Sequence, residues 1–243
     1  MSPDLLVEIG NTALKAAWTE GRTLGKTFRY QGEKTIDFIV SLTSRQRPRV
    51  LTVASVTPLA EDTVNRLSAE CDTLIVLDDA HKDNLAGYGL PSYLTCDRVA
   101  SLLAARDLFK GKPCTVFDFG TTMTVDVLDA EGSYVGGNIS LGCRTRFKAL
   151  NRYSRNLPLI NTPQDCPLLA NAAQTSMESG VISGIMFEIE GYIANYPGNY
   201  VIFTGGDAIF LANRMKNSIF VVCNLVMMGL ALITEDYVKK NTE

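Results

Sequence analysis

Histidine is nearly absent: one residue, His81, in a chain of 243. Triad hydrolases and Cys-His enzymes need an imidazole base beside the nucleophile, so that class of chemistry is disfavoured. The polar run Asp78-Asp79-Ala80-His81-Lys82-Asp83 reads His81 as a solvated loop residue. Cysteine occurs six times, at 71, 96, 114, 143, 166 and 223, but never as a Cys-x-x-Cys pair. That removes zinc clamps and the disulfide frameworks of small secreted domains, and leaves most thiols to be reduced, buried and inert. Positive charge is not in excess either, since 23 Lys and Arg against 26 Asp and Glu give a net charge of −3. A surface built to neutralise phosphate backbones is basic, so nucleic acid is not expected as a partner. The longest strongly apolar stretch, Ile219 to Ile233, is 15 residues interrupted by Asn224. It falls short of the roughly 20 that span a bilayer, and reads as a buried strand running into a buried helix. The start, Met1-Ser2-Pro3-Asp4, is acidic and lacks the basic-then-apolar order of a leader, so a cytoplasmic protein without a membrane partner is expected.

What is present is enough apolar residue, 46%, for a full core in one large or two small domains. Residues 4 to 19 read as an apolar strand, a Gly10-Asn11-Thr12 turn and a second strand. Residues 114 to 129 repeat the scheme with Asp118-Phe-Gly120-Thr121-Thr122 at the bend. An acid at a strand end, one residue, a glycine and a polar turn thus occur twice, about 110 residues apart. This implies an internal duplication, with halves at 1–113 and 114–243. A hairpin at the head of each half makes the sheets mixed, because strands joined by a short turn run antiparallel. Further strands are expected at 49–55, 73–77 and 200–204. Helices are expected at 58–71, at 97–110 behind a Thr95 cap, and at 176–196. A helix through Arg214 and a last strand and helix follow. Glycines at 180, 184 and 191 in the long helix suggest a close backbone neighbour. Strands alternating with helices give an α/β protein.

The Glu8-to-Lys15 turn suits phosphate, because glycine lets backbone amides approach an anion, Asn11 and Thr12 add donors, and Lys15 supplies a charge. Glu8 at a strand end is of a type that holds hydrated magnesium. Read alone, the same segment is equally an ordinary hairpin turn with a surface acid. The second turn at Asp118 argues for a nucleotide clamp, two such turns facing each other across a cleft. Gly205-Gly206, between a strand and a helix, adds a third place for close approach.

Together these segments resemble type III pantothenate kinases, of the actin and sugar kinase superfamily, over nearly the whole chain and in family order. The resemblance rests on several short motifs. An acid-x-Gly-Asn-Thr followed by Lys matches Glu8 to Lys15. A Tyr nine residues before an Asp-Arg pair, with a Pro between, matches Tyr88, Pro91, Asp97 and Arg98. Asp-x-Gly-Thr with Thr-x-Asp-Val matches Asp118 to Val127, and Gly-Gly-x-Ile matches Gly136 to Ile139. Ser179-Gly180 and Thr204-Gly205-Gly206 also fit.

The resemblance implies duplicated ribonuclease-H-like domains and ATP-dependent phosphorylation of pantothenate to 4′-phosphopantothenate, the first step of coenzyme A synthesis, in a cytoplasmic homodimer. It implies Asp97 as general base, and Tyr88, Thr95, Cys96, Asp97, Arg98 and Ala173 at the substrate. It implies Glu8, Ile9, Gly10, Asn11, Thr12, Ala13, Leu14, Lys15 and Thr121 at ATP, with magnesium on the nucleotide and a potassium or ammonium ion at Asp118. Without it, Asp97 reads as an acid favoured by the dipole of a helix's first turn. The chain departs from the family in having Glu8 for Asp, Thr95-Cys96 for Gly and a small residue, Ala172-Ala173 for a polar residue and Thr, and Leu141 for Pro. These departures motivate an alternative, a non-catalytic nucleotide-binding accessory protein of the same fold; a phosphotransferase or polyphosphatase with another acceptor is a third reading. The basic run Arg144, Arg146, Lys148, Arg152 and Arg155 reads as a solvated or subunit-contact surface.

Overall fold

The computed structural model describes residues 3–242. Its two halves follow one plan. In the first, β1 (Asp4–Ile9), β2 (Leu14–Glu20) and β3 (Thr23–Tyr30) form an antiparallel meander. Helix α1 (Thr35–Thr43) then leads to β4 (Val50–Ser55), parallel to β1, and α2 (Glu61–Ser68) to β5 (Thr73–Leu77), parallel to β4. The sheet order is β3-β2-β1-β4-β5. A 3₁₀ segment, Lys82–Tyr88, and α3 (Cys96–Leu108) follow. In the second half, β6 (Cys114–Phe119), β7 (Thr122–Leu128) and β8 (Tyr134–Leu141) repeat the meander. Helices α4 (Cys143–Tyr153) and α5 (Ala173–Asn195) lead to β9 (Tyr200–Gly205), parallel to β6, and α6 (Ala208–Ala212) to β10 (Ile219–Val221), parallel to β9. Helix α7 (Leu225–Thr242) comes last. Read from its other edge, the second sheet is β8-β7-β6-β9-β10, the same order as the first. The expected duplication and mixed sheets are therefore both present.

Strand β1 is apolar at every central position because it is covered on both faces, as parallel-paired strands usually are. Leu5 and Val7 pack with Ile39, Leu42, Leu51, Val53 and Leu67. In the second unit Phe117, Phe119 and Phe203 meet Phe147 of α4 and Ile182, Ile185 and Ile189 of α5. Phe117 and Phe203 lie edge to face at 5.3 Å, the arrangement aromatic quadrupoles favour.

The chain forms two compact units, Met1–Leu108 with Asn224–Glu243, and Phe109–Cys223. The repeat in chain order and the packing unit thus differ by one helix, α7, which packs on α3. Gly229 makes this possible: a Cβ built on it would lie 1.9 Å from the Ala100 carbonyl oxygen, so the two helices touch backbone to backbone. Beyond that crossing, Thr234 and Thr52 share a buried hydroxyl hydrogen bond of 2.6 Å, and Arg22 links Asp107 of α3 to Glu235 of α7.

Several expectations are corrected. Strand β10 is not buried: Phe220 and Val221 are 44% and 38% exposed. It has three residues at a sheet edge with only β9 beside it, and Phe220 is covered partly by stacking on Tyr200 at 5.3 Å. The α5 glycines draw no backbone close. A Cβ at Gly180 or Gly191 would meet nothing within 4 Å, and one at Gly184 would meet only the Arg146 guanidinium at 3.8 Å. The core face of α5 is instead made by Met177, Val181, Ile182, Ile185 and Ile189. Helix α6 stops at Ala212, before Arg214.

Gly229→Ala tests the α3–α7 crossing. In an open helix interior this change stabilises by about 1 kcal/mol. Here it is expected to destabilise by about 1–3 kcal/mol through overpacking, read from urea unfolding.

Candidate active site

The carboxyl ends of β1 and β4 and the first turn of α3 meet at one edge of the first unit. Glu8 stands opposite Lys15 in the hairpin register, with Lys15 Nζ 3.2 Å from Glu8 Oε2. The Glu8 side chain is 13% exposed, and no donor besides this ion-pair contact is aligned on Oε2. Burial holds its carboxyl above the ordinary value; Lys15 opposes that shift and Asp97 adds to it. The Gly10 amide donates to the Ala13 carbonyl at 3.1 Å, closing the turn, and Asn11 and Thr12 are exposed at its tip.

Helix α3 enters beside this turn. The Cys96 thiol is directed at the Ser55 carbonyl of β4 at 3.5 Å. Burial pushes that thiol up to about 12, with Asp97 and Glu8 adding to it, which keeps it in the weakly nucleophilic thiol form. The Thr95 carbonyl accepts the Val99 amide at 3.0 Å, and Asp97 Oδ1 accepts the Arg98 amide at 3.0 Å. Arg98 is buried, at 6% exposure. The structure therefore gathers Glu8, the Gly10–Lys15 turn, Cys96 and Asp97 at one place.

Tyr88 is held elsewhere on α3. Its carbonyl accepts Arg106 Nη1 at 2.8 Å, Lys240 Nζ of α7 lies 5.7 Å from its ring centre, and burial, with the Asp236 charge adding to it, pushes its phenol up to about 12. Arg106 is nine residues past Asp97, about 13 Å along the helix axis. His81 is a partner as well as a loop residue: its Nδ1 lies 2.7 Å from the buried carboxylate of Asp78, which also accepts the Leu59 and Ala80 amides. The Asp-x-x-His spacing was the available signal for that pair.

In the second unit Asp118 lies at the end of β6, level with Thr124 and Thr204 on its two neighbours. The Gly120 amide donates to the Thr122 carbonyl at 3.0 Å, the same closure as at Gly10. Thr121 is exposed, and its carbonyl accepts Gly142 N–H at 3.1 Å and the Thr145 hydroxyl at 2.6 Å. Gly205 has φ +89°, and a Cβ there would lie 2.4 Å from Asp118 Oδ1 and 2.5 Å from the Phe119 carbonyl. Only glycine leaves this oxygen-lined cradle open. One carboxylate and a backbone carbonyl are hard oxygen donors, a set that fits a hard cation. Among the described residues no three His, Cys, Asp or Glu side chains gather.

Ala173 is the exposed first residue of α5 and lines a groove of about 760 Å³ with Leu141, Leu150, Tyr153, Met177 and Val181. Arg146 is not part of the exposed basic run. It donates to the Leu141 carbonyl at 2.8 Å and Ser140 Oγ at 3.1 Å and pairs with Glu188. Arg144, Lys148, Arg152 and Arg155 remain exposed.

The Glu8 shift gives a stability prediction. Because its folded-state value lies above the unfolded one, the wild type loses stability as pH rises from about 4.5 through the raised value. Glu8→Gln removes that slope, so the difference in unfolding free energy moves in the variant's favour between pH 4 and 7. Urea unfolding across that range reads it.

The family model described as type III pantothenate kinase matches residues 4–195. The type III pantothenate kinase of Phocaeicola vulgatus is 35% identical over 232 residues, covering 93% of this chain and 96% of that protein. Among solved structures, a proposed Baf family transcriptional activator from Campylobacter jejuni superposes with a TM-score of 0.68 at 19% identity, covering 97% of this chain and 99% of that one. The activator of 2-hydroxyisocaproyl-CoA dehydratase from Clostridium difficile, with bound ADPNP, superposes at 0.58 with 14% identity over 99% and 97% of the two chains. At these identities the structural matches establish the fold alone, two mixed five-stranded sheets flanked by helices. Because the family model spans most of the chain and a relative of nearly equal length is a third identical throughout, the chain belongs to the type III pantothenate kinase family.

Proposed function

We propose that the protein transfers the γ-phosphoryl group of ATP to the primary hydroxyl of pantothenate, giving 4′-phosphopantothenate and ADP, the opening step of coenzyme A synthesis in the cytoplasm. The observation that carries the reading is the place of Asp97, on the first turn of α3 and within electrostatic reach of Glu8 at the phosphate-type turn. Asp97 takes the hydroxyl proton as the hydroxyl oxygen bonds the γ-phosphorus, and the bond from that phosphorus to the bridging oxygen breaks to release ADP. Arg98, Thr95, Cys96, Tyr88 and Ala173 form the substrate side, through backbone and packing at Thr95, Cys96 and Ala173. Glu8 to Lys15 and Thr121 bind ATP, with Lys15 as the point charge and the turn amides as donors.

Asp118, with the Phe119 carbonyl beside it, would hold a potassium or ammonium ion, and magnesium would come with the nucleotide. These cations supply charge to offset the phosphate oxygens, and the protein's own share is orientation of the hydroxyl and the nucleotide. Such chemistry needs no histidine. A homodimer is supported by apolar surface at the second unit: Val135, Ile139 and Leu141 of edge strand β8 are 55%, 60% and 45% exposed. An uncovered edge of that kind ordinarily finds a partner.

Asp97→Asn is expected to lower pantothenate-dependent ADP release by about 10²- to 10⁴-fold while ATP binding persists. A coupled ADP assay with and without pantothenate, in potassium and in sodium, reads it. Unchanged turnover in the variant sinks the assignment, and ATP binding without any pantothenate-dependent release in the wild type points to an accessory nucleotide-binding protein. Asp118→Asn should flatten the dependence of rate on potassium concentration in the same assay.

A further inference from the structure

We propose that the basic stripe along α4, formed by Lys148, Arg152 and Arg155 and leading to Arg144, is an electrostatic guide for nucleoside triphosphate: it draws the polyphosphate to the Thr121 turn and so raises its association rate. The inference rests on the reading that Thr121 belongs to the nucleotide site. It gives the four exposed cations a role beyond that of a solvated surface.

The charge is concentrated and uncompensated. No Asp or Glu occurs between Glu131 and Asp165, a stretch that holds Arg144, Arg146, Lys148, Arg152 and Arg155. Arg146 pairs with Glu188, but among the described residues Arg144, Lys148, Arg152 and Arg155 have no ion pair and no hydrogen-bonded side chain. On a helix of 3.6 residues per turn, positions 144, 148 and 152 of α4 fall within about 80° of arc. Arg155 follows just past the helix end at Tyr153. Local helix physics opposes this arrangement. Like charges four residues apart repel, and Arg144 in the first turn, which holds no acid, is set against the helix dipole. Helix stability alone therefore does not account for the stripe.

The stripe also has a direction. The Gly142 amide and the Thr145 hydroxyl both donate to the Thr121 carbonyl, at 3.1 Å and 2.6 Å. A Cβ on Gly142 would lie 2.0 Å from the Gly120 carbonyl oxygen, so α4 starts in backbone contact with the turn. Its cations then recede from that point in steps of about 6 Å, the rise of four helical residues. A polyanion otherwise meets a chain of net charge −3 and, at the end of β6, the Asp118 carboxylate. Four cations in line with the turn reverse that field locally. Screening sets their reach: about 30 Å at 0.01 M salt, which takes in the whole stripe, and about 8 Å at 0.15 M, which takes in its near end. Attraction scales with the charge of the visitor, so a triphosphate is drawn most, a monophosphate less, and pantothenate, with its single carboxylate, least.

Stopped-flow association of mant-ATP, a fluorescent ATP, with the full chain tests this from about 0.01 M to about 0.5 M ionic strength at fixed potassium. Wild type is compared with K148Q/R152Q/R155Q and K148E/R152E/R155E. The wild-type association rate is expected to fall about tenfold or more over that range. At the lowest salt the glutamine variant should associate about threefold to tenfold more slowly, and the glutamate variant more slowly still. At the highest salt all three should converge. Dissociation rate and turnover at saturating substrates should stay within about twofold of wild type, as expected of charges that act before binding. The rate for mant-AMP should depend less on both salt and variant. An association rate unchanged in both variants at low salt overturns the proposal. So does a loss that persists at the highest salt or lies in dissociation, the mark of a direct contact or an altered fold. A shift in oligomeric state by analytical ultracentrifugation that accompanies the loss assigns the stripe to a subunit contact and also overturns it. If the wild type itself binds no mant-ATP, the nucleotide reading of the Thr121 turn fails, and this inference with it.

Discussion

Parallel strands cannot be joined by a tight turn, so pairing β1 with β4 and β6 with β9 obliges the chain to leave each sheet at the carboxyl ends of its central strands. That constraint organises the protein. At the end of β1 the chain turns back through Gly10-Asn11-Thr12, and next to it the end of β4 receives the first turn of α3 through the Ser55 carbonyl and the Cys96 thiol. At the end of β6 it turns back through Gly120-Thr121, and next to it β9 ends in Gly205, where a Cβ would meet Asp118 Oδ1 at 2.4 Å. Open α/β sheets bind ligands outside these carboxyl ends because amides and helix starts are unpaired there. The duplication supplies that arrangement once in each unit.

The chain's one histidine is tied to Asp78, and the candidate site holds carboxylates instead. Their environments differ. Glu8 is buried against Lys15, and its desolvation outweighs the ion pair. An isolated buried carboxylate costs several kcal/mol, and a single partner offsets only part of that. Asp97 is half-buried on the first turn of α3. Asp118, at the end of β6, lies against Gly205 and the Phe119 backbone. Three acids in three settings suit a phosphoryl-transfer enzyme, in which positioning and electrostatics do most of the chemistry.

The last helix shows how packing departs from chain order. Gly229 lets α7 lie against Ala100 on α3, and Thr234 and Glu235 then reach Thr52 and Arg22 of the first unit. The same placement brings Lys240 to Tyr88. No local pattern in 225–242 announces this, since a glycine within a helix is also consistent with a weak spot or a solvent-facing turn.

Much of the architecture was legible in the residues. Glu8 to Lys15 and Asp118 to Thr122 read as twin turns because acid, glycine and polar tip recur with flanking strands, and hairpin closure is local. The α3 face and the run of β1 were readable for the same reason: period and burial are properties of a few neighbouring residues. Strand β10 was misread because Ile219, Phe220 and Val221 are apolar, and hydropathy does not say whether a strand has one neighbour or two. The α5 glycines were misread because spacing does not say which side of a helix meets the core. Glu8 beside Asp97, Gly205 against Asp118 and Tyr88 beside Lys240 join residues 89, 87 and 152 positions apart. The amino-acid order determined the elements, the repeat and the kinds of group available for catalysis; the tertiary structure alone decided which groups became neighbours, because burial and long-range approach depend on how the sheets and helices close around them.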